Sequence, residues 1–222
     1  MRVRGTKACG SFSCDKDGAF ELLVHMEADP MVASYTEFNF ETVVSPDKAA
    51  ILDEVAAFYL NHKAGLFVVS AQSPNVRRDR GFRRVWGEVD HGLAQRGIWL
   101  LDTTPEKLRQ EPKWTRAREL ARCARASIDH RDEERVLDYL SHVQQASLRA
   151  CARLCTDSPD SLDALYKLIS SGAVFLGSED DILPSGSVTL HPPTPAYDHT
   201  AIGWLQAHTG ALVSRTMASP YC

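Results

Sequence analysis

VAAFYLNHKAGLFVVSAQSPNVRRDRGFRRVWGEVDHGLAQ, residues 55–95, decides how the rest of the chain is read. Its apolar, aromatic opening suits a strand, extending back to Ile51 and clearest from Val55. His62-Lys63-Ala64-Gly65 is a hairpin turn, with Gly65 free to take positive φ. LFVVSA, residues 66–71, is a near-continuous apolar run of the kind a central buried strand carries. An arginine-rich loop follows. Residues 81–95 then predict a helix, because Phe82, Val85, Val89 and Leu93 recur at spacings of three and four.

Working outward from that stretch, residues 1–14 read as an extended, poorly structured arm. Residues 18–27 predict a helix with Phe20, Leu23 and Met26 on one face. Asp29-Pro30 ends it, since the residue before proline avoids helical angles. MVASYTEFNFETVV, residues 31–44, suits two short strands, and Ser45-Pro46-Asp47 is a turn. Downstream, residues 98–101 are another buried strand. Thr104 caps a short helix with Pro105 in its first turn. Residues 112–126 form a further helix carrying Trp114, Leu120 and Cys123. This order predicts an α/β fold with a mixed sheet over residues 15–128.

The tail has a different rhythm. Asp132, Glu133 and Glu134 open a helix where negative charge suits the dipole, and Val136, Leu137, Leu140 and Val143 form its stripe. Ser147 caps a second helix with Leu148, Cys151 and Cys155. Ser158-Pro159 opens a third, with Leu162, Leu165, Tyr166 and Ile169 inside and Gly172 at its stop. Two strands follow, at residues 173–176 and 187–190. Three short helices and a β-hairpin predict a small winged helix-turn-helix domain at residues 129–191. Residues 192–222 are a proline-rich extension.

The charged share, 24%, is ordinary for a globular protein, and no apolar run approaches the length of a membrane span. No apolar core follows the basic N-terminal residues, so no secretory signal is expected and the expected location is cytoplasmic. In such a chain Cys9, Cys14, Cys123, Cys151, Cys155 and Cys222 are expected as free thiols. Cys151 and Cys155 share a helical face, where core packing is favoured over metal binding. His25, His62, His91 and His142 show no ligand spacing. The net charge of −4 is uneven: residues 131–222 hold 6 Lys and Arg against 11 Asp and Glu, residues 1–130 hold 19 against 18. A nucleic-acid contact is therefore expected in the N-terminal part.

Several segments, in order, resemble the TnsA-like transposon endonucleases. HMEADPMVASYTEF (residues 25–38) resembles that family's LExDPxVxxYxEQP-like stretch. AAFYL from Ala56 and FVVSAQSP from Phe67 stand where the family has a PDF-like strand and a VxVEVKP-like strand. AQRGIWLL from Ala94, LRQEPKWTRARELAR from Leu108 and ALYKLISSGAVFL in the tail resemble further family segments. The resemblance covers roughly residues 5–190. It implies a restriction-endonuclease-like core followed by a winged helix, and metal-dependent hydrolysis of a DNA phosphodiester. In that chemistry a strand Asp and a Glu or Gln on the next strand hold Mg²⁺, a lysine two residues on neutralises charge, and an acid on the first helix completes the site.

Carried onto this chain, the strand Asp falls at Ala57, the Glu or Gln at Ser70 and the Lys at Gln72. Ser is a weak Mg²⁺ ligand and neutral Gln supplies no cation. The expectation is a degenerate catalytic site with no metal or other cofactor. The alternative is an active nuclease that uses Mg²⁺ through relocated acids, from Glu21, Asp53 or Glu54; Asp15 and Asp17 also lie near the expected helix acid. A further alternative is that the domain was never nuclease-like.

Arg77, Arg78, Arg80, Arg83 and Arg84 follow the former catalytic strand and are the expected DNA contacts; a solvated helix start is the competing reading. Arg116, Arg118, Arg122 and Arg125 are expected as a solvated face. The third tail helix carries Asp160 and Asp163 against Lys167, which argues against major-groove readout and for a protein partner. The resemblance implies that partner, at residues 129–191, to be a transposase or an ATPase regulator. Three functions are therefore carried forward: a non-cleaving DNA-associated subunit of a mobile-element assembly, an active endonuclease, and a winged-helix adaptor.

Overall fold

The computed structural model describes residues 2–177 and 185–191 of the chain. The N-terminal arm is extended but tied down. Strands β1 (Arg2–Val3) and β2 (Phe12–Ser13) pair antiparallel, and Ala8 bridges Tyr35. The buried Glu27 carboxylate anchors the arm, accepting the Thr6 amide at 2.9 Å, the Lys7 amide at 3.1 Å and the Tyr35 hydroxyl at 2.7 Å. The chain passes this carboxylate so closely at Gly5 that a Cβ there would lie 2.1 Å from Glu27 Oε1.

Helix α1 (Ala19–Ala28) comes next, then strand β3 (Val32–Glu37) and the short helix α2 (Pro46–Ala49). One strand, not two, occupies residues 31–44. Asn39 ends it by accepting the Glu41 amide through its side chain, which sets up a 3₁₀ turn over Phe40–Thr42. The expected turn at Ser45 is likewise helical, because Pro46 is preset for a first helical position. A second 3₁₀ turn over Ala50–Leu52 delays strand β4 to Ala56–His62. Ile51, Asp53 and Glu54 are therefore not strand residues.

Strand β5 (Gly65–Ala71) pairs antiparallel with β4, His62 facing Gly65 across a two-residue turn. Gly65 has φ 141°, the freedom its position required. Helices α3 (Pro74–Arg78) and α4 (Arg80–Ala94) lead to strand β6 (Trp99–Thr103), which pairs parallel with β5. The result is a mixed four-stranded sheet in the order β3-β4-β5-β6. Its two faces are covered differently. Ala56, Phe58, Leu60, Phe67, Val69 and Leu101 pack with Ala19, Leu22, Leu23 and Met26 of α1. Ala57, Val68 and Leu100 pack with Phe82, Val85, Val89 and Leu93 of α4, the stripe read from sequence.

Helices α5 (Pro105–Leu108) and α6 (Lys113–Cys123) follow, the first capped by Thr104. Then come α7 (His130–Val143), strand β7 (Gln145–Ser147), α8 (Leu148–Ala152), α9 (Ser161–Ser171), strand β8 (Phe175–Leu176) and strand β9 (Ser187–Thr189). The last three strands form a sheet with β9 between β7 and β8. Helix α9 begins at Ser161 rather than Ser158, because Asp160 accepts the amides of Leu162 and Asp163 while Ser158 is held by Asp132. Most of the loop between β8 and β9, and residues 192–222, lie outside the described residues.

A third apolar core crosses the expected boundary at residue 128. It joins Val24 and Ala28 of α1, Ala117, Leu120 and Cys123 of α6, and Val136, Leu140, Leu148, Leu165 and Ile169 of the tail. Helix α1 is thus buried on both sides, with only Phe20 among its residues exposed. That explains why AFELLVHM is apolar nearly all round rather than striped.

Candidate functional site

The three positions of the expected site are brought together at one end of the sheet. Ala57 faces Ser70 across β4 and β5, and Ser70 faces Asp102 across β5 and β6. Strand alternation puts these side chains on the α4 face, with Val68 and Leu100. Gln72 lies just past β5, and its amide donates to Ser70 Oγ at 3.1 Å. Both are buried, Ser70 at 0% and Gln72 at 3% exposure. Gln72 Oε1 has no hydrogen-bond partner among the described residues. Shifting the comparison by one residue sets Ala56 opposite Ala71, again with neither carboxylate nor amine.

Asp102 is a residue the sequence reading missed; an acid closing the apolar run WLLD was the available signal. Its carboxylate lies 3.1 Å from Arg77, which also donates to the Thr103 carbonyl at 2.5 Å. The site therefore offers one hydroxyl, one amide and one carboxylate already paired with a guanidinium. That donor set does not suit Mg²⁺, which takes carboxylates and water. Among the described residues no group of three or more His, Cys, Asp or Glu is placed to hold a metal.

The candidate relocated acids are not gathered there. Glu21 is buried on α1, on the opposite side of the sheet from Ser70, and binds Arg109 at 2.6–2.7 Å. That contact holds the Arg109 guanidinium above its ordinary range. Asp53 and Glu54 are exposed in the turn before β4. Asp15 is exposed beside Ser13, which donates to it, and Asp17 is exposed.

The arginine cluster divides in two. Arg77 is turned onto Asp102 and Thr103. Arg80, Arg83 and Arg84 are exposed on the first turns of α4, and Arg78 is exposed at the end of α3. Arg84 has Glu88 at 3.9 Å; Arg78, Arg80 and Arg83 make no ion pair among the described residues. Asp79, within the cluster, caps α4 by accepting the Phe82 amide at 2.7 Å, which fixes the arginines around a helix start.

Helix α9 is held against α6 rather than presented to solvent. Arg122 donates two hydrogen bonds, at 2.7 and 2.9 Å, to the Asp163 carboxylate. Hydrogen bonding from Arg122 holds Asp163 below its usual range. Burial and the Asp163 carboxylate together push the Cys123 thiol up to about 12. Lys167 donates to the Ala124 carbonyl. The acidity of α9, read as a partner signal, thus has an internal use, and Arg122 is not simply part of a solvated face. Cys123, Cys151 and Cys155 are buried thiols of the shared core.

Asp132 also escaped the sequence reading, which took it for a dipole-compensating acid. Its fully buried carboxylate accepts the amides of Thr156 at 3.0 Å, Asp157 at 3.1 Å and Ser158 at 2.6 Å, and the Ser158 hydroxyl at 2.5 Å. Arg135 donates to it as well. Burial pushes this carboxyl up, but the hydrogen bonds outweigh burial and bring it down to about 2.

Comparison with protein-family models, with curated proteins and with solved structures finds no match to this chain. Among the described residues no helix is long and apolar enough to cross a membrane.

Proposed function

We propose that the chain is a TnsA-like, non-cleaving nuclease-fold subunit that binds DNA within a cytoplasmic transposition or other mobile-element assembly. The observation that carries this reading is a strand end whose three expected positions hold no charged group: Ala57 opposite Ser70, Ser70 bonded to Gln72, and both polar groups out of solvent. The order of elements from α1 to β6, helix, strand, short helix, two strands, two helices and strand, is compatible with a restriction-endonuclease-like core. The order from α7 to β9 is likewise compatible with a winged helix. On this reading the fold is kept as a docking frame, and Arg78, Arg80, Arg83 and Arg84 contact the DNA backbone.

Protein docking through residues 129–191 completes the proposal. Because α9 is packed on α6 through its buried face, the partner is engaged by the exposed apolar residues Tyr139 and Val143 on α7 and Leu162 on the outer side of the first turn of α9. A transposase or an ATPase regulator is the partner class that the resemblance supplies.

The test is incubation of the whole chain with supercoiled DNA and Mg²⁺ or Mn²⁺, beside Glu21→Ala and Asp53→Ala/Glu54→Ala variants. The expected outcome is no nicking, with binding that weakens as salt rises and is lost in Arg80→Glu/Arg83→Glu. Metal-dependent nicking that disappears in an acid variant would establish the active-endonuclease reading instead. Absence of any salt-sensitive DNA binding would favour the adaptor.

A further inference from the structure

A cleft of about 570 Å³ opens where β3 leaves the sheet, bounded by the two 3₁₀ turns before β4. That volume falls within the roughly 300–1,000 Å³ of typical ligand clefts. It begins beside the former catalytic strand, since the Phe38 amide donates to the Ala57 carbonyl at 2.9 Å. Its apolar wall is half-buried Phe38, packed edge-on against buried Phe40 with centroids 5.2 Å apart. Its polar lining includes Glu37, Glu41, Asp53 and Lys16.

The charges on this lining select its occupant. Lys16 lies 3.6 Å from Glu37. The carboxylates of Glu41 and Asp53 make no hydrogen bond or ion pair among the described residues. Three carboxylates against one ammonium repel phosphate, so the cleft is a poor path for nucleic acid. The acids are not placed to share a metal ion. A concave wall with an aromatic ring and two uncommitted carboxylates suits a cation that has an apolar stem. Guanidinium and ammonium side chains combine attraction to carboxylates with attraction to an aromatic face.

We propose that this cleft binds an arginine or lysine side chain presented by a basic peptide segment of a partner protein. The proposal does not rest on the DNA reading, because the arginines of α3 and α4 carry the opposite charge on other elements. It adds a second contact surface, on the N-terminal sheet rather than on residues 129–191.

The test is a ¹⁵N-NMR titration of the whole chain with acetyl-Gly-Arg-Gly-Arg-Gly-amide and with its glutamate counterpart. Expected are shifts centred on residues 37–53 with the arginine peptide only. Glu41→Gln/Asp53→Asn should weaken binding roughly fourfold, at about twofold for each exposed pair. Both positions are exposed, and unchanged shifts outside the cleft verify the fold of the variant. Phe38→Ala should weaken binding independently. The proposal is overturned by equal response to the glutamate peptide. It is equally overturned by shifts that spread to exposed acids such as Glu134, by a double variant that binds as wild type, or by a single-stranded oligothymidylate that moves residues 37–53 instead.

Discussion

Replacing Asp132 by Asn tests how the tail is held together. The carboxylate lies under the loop of Thr156, Asp157 and Ser158 and accepts three backbone amides and one hydroxyl from it. Its fall from the ordinary 3.8 to about 2 corresponds to roughly 2–3 kcal/mol in favour of the charged form. Asparagine keeps one acceptor but points an N–H₂ at N–H donors, orphaning at least one buried group at about 1–3 kcal/mol. Together these set an expected loss of about 3 kcal/mol at pH 7. With a slope near 2 kcal/mol per molar urea, the unfolding midpoint drops by about 1.5 M. The sign with pH follows from the depressed value. The folded state binds fewer protons than the unfolded chain, so the contribution is complete above the unfolded 3.8 and is lost as pH falls through about 2. Urea titrations of both proteins, followed by far-UV circular dichroism at pH 7, 5 and 3, measure it. The gap should be equal at pH 7 and 5 and narrower at pH 3. A midpoint within about 0.3 M of wild type at pH 7, or a gap unchanged at pH 3, refutes the reasoning.

Three other outcomes are expected. Arg77→Ala should cost about 1–2 kcal/mol of stability by stripping Asp102 and the Thr103 carbonyl of a partner, whereas Arg80→Ala and Arg83→Ala should stay within about 0.5 kcal/mol while weakening DNA retention; urea midpoints and gel-shift titrations separate the two effects. Gly18→Ala should destabilise by about 2 kcal/mol or more, since a Cβ there meets Ala71 Cβ at 2.4 Å and φ is 77°. Leu165→Ala should cost about 2–5 kcal/mol, and tryptophan fluorescence and circular dichroism should still report one shared transition, because that leucine packs in the core that includes α1 and α6; two separated transitions would contradict a common core.

The parts of this fold legible in the sequence are those set by neighbours along the chain. The α4 stripe, the Gly65 hairpin and the Thr104 cap each depend on residues within a few positions, and each is where the pattern placed it. The segment from Asn39 to Leu52 was misread because its strand-like residues are overruled by two local devices, the Asn39 cap and Pro46. The long-range assignments were not legible at all. Nothing near Asp132 announces a loop some 25 residues away, and nothing in α9 announces Arg122. Arg77 looked like its neighbours until pairing with Asp102 set it apart. At the strand end the sequence shows which chemical groups are present at Ala57, Ser70 and Gln72. Their burial, and the bond between the last two, required the assembled sheet.

Helix α1 touches the sheet with one side and the tail's core with the other, and that bears on how such a chain can change over time. A segment that only abuts its neighbour can be exchanged by recombination at the linker. Here a crossover near residue 128 would strand Val24, Ala28, Leu120 and Cys123 against a foreign surface. New binding specificity is therefore expected to arise by point substitution on the outer rim, at positions such as Tyr139, Val143 and Leu162, while the two halves are inherited together.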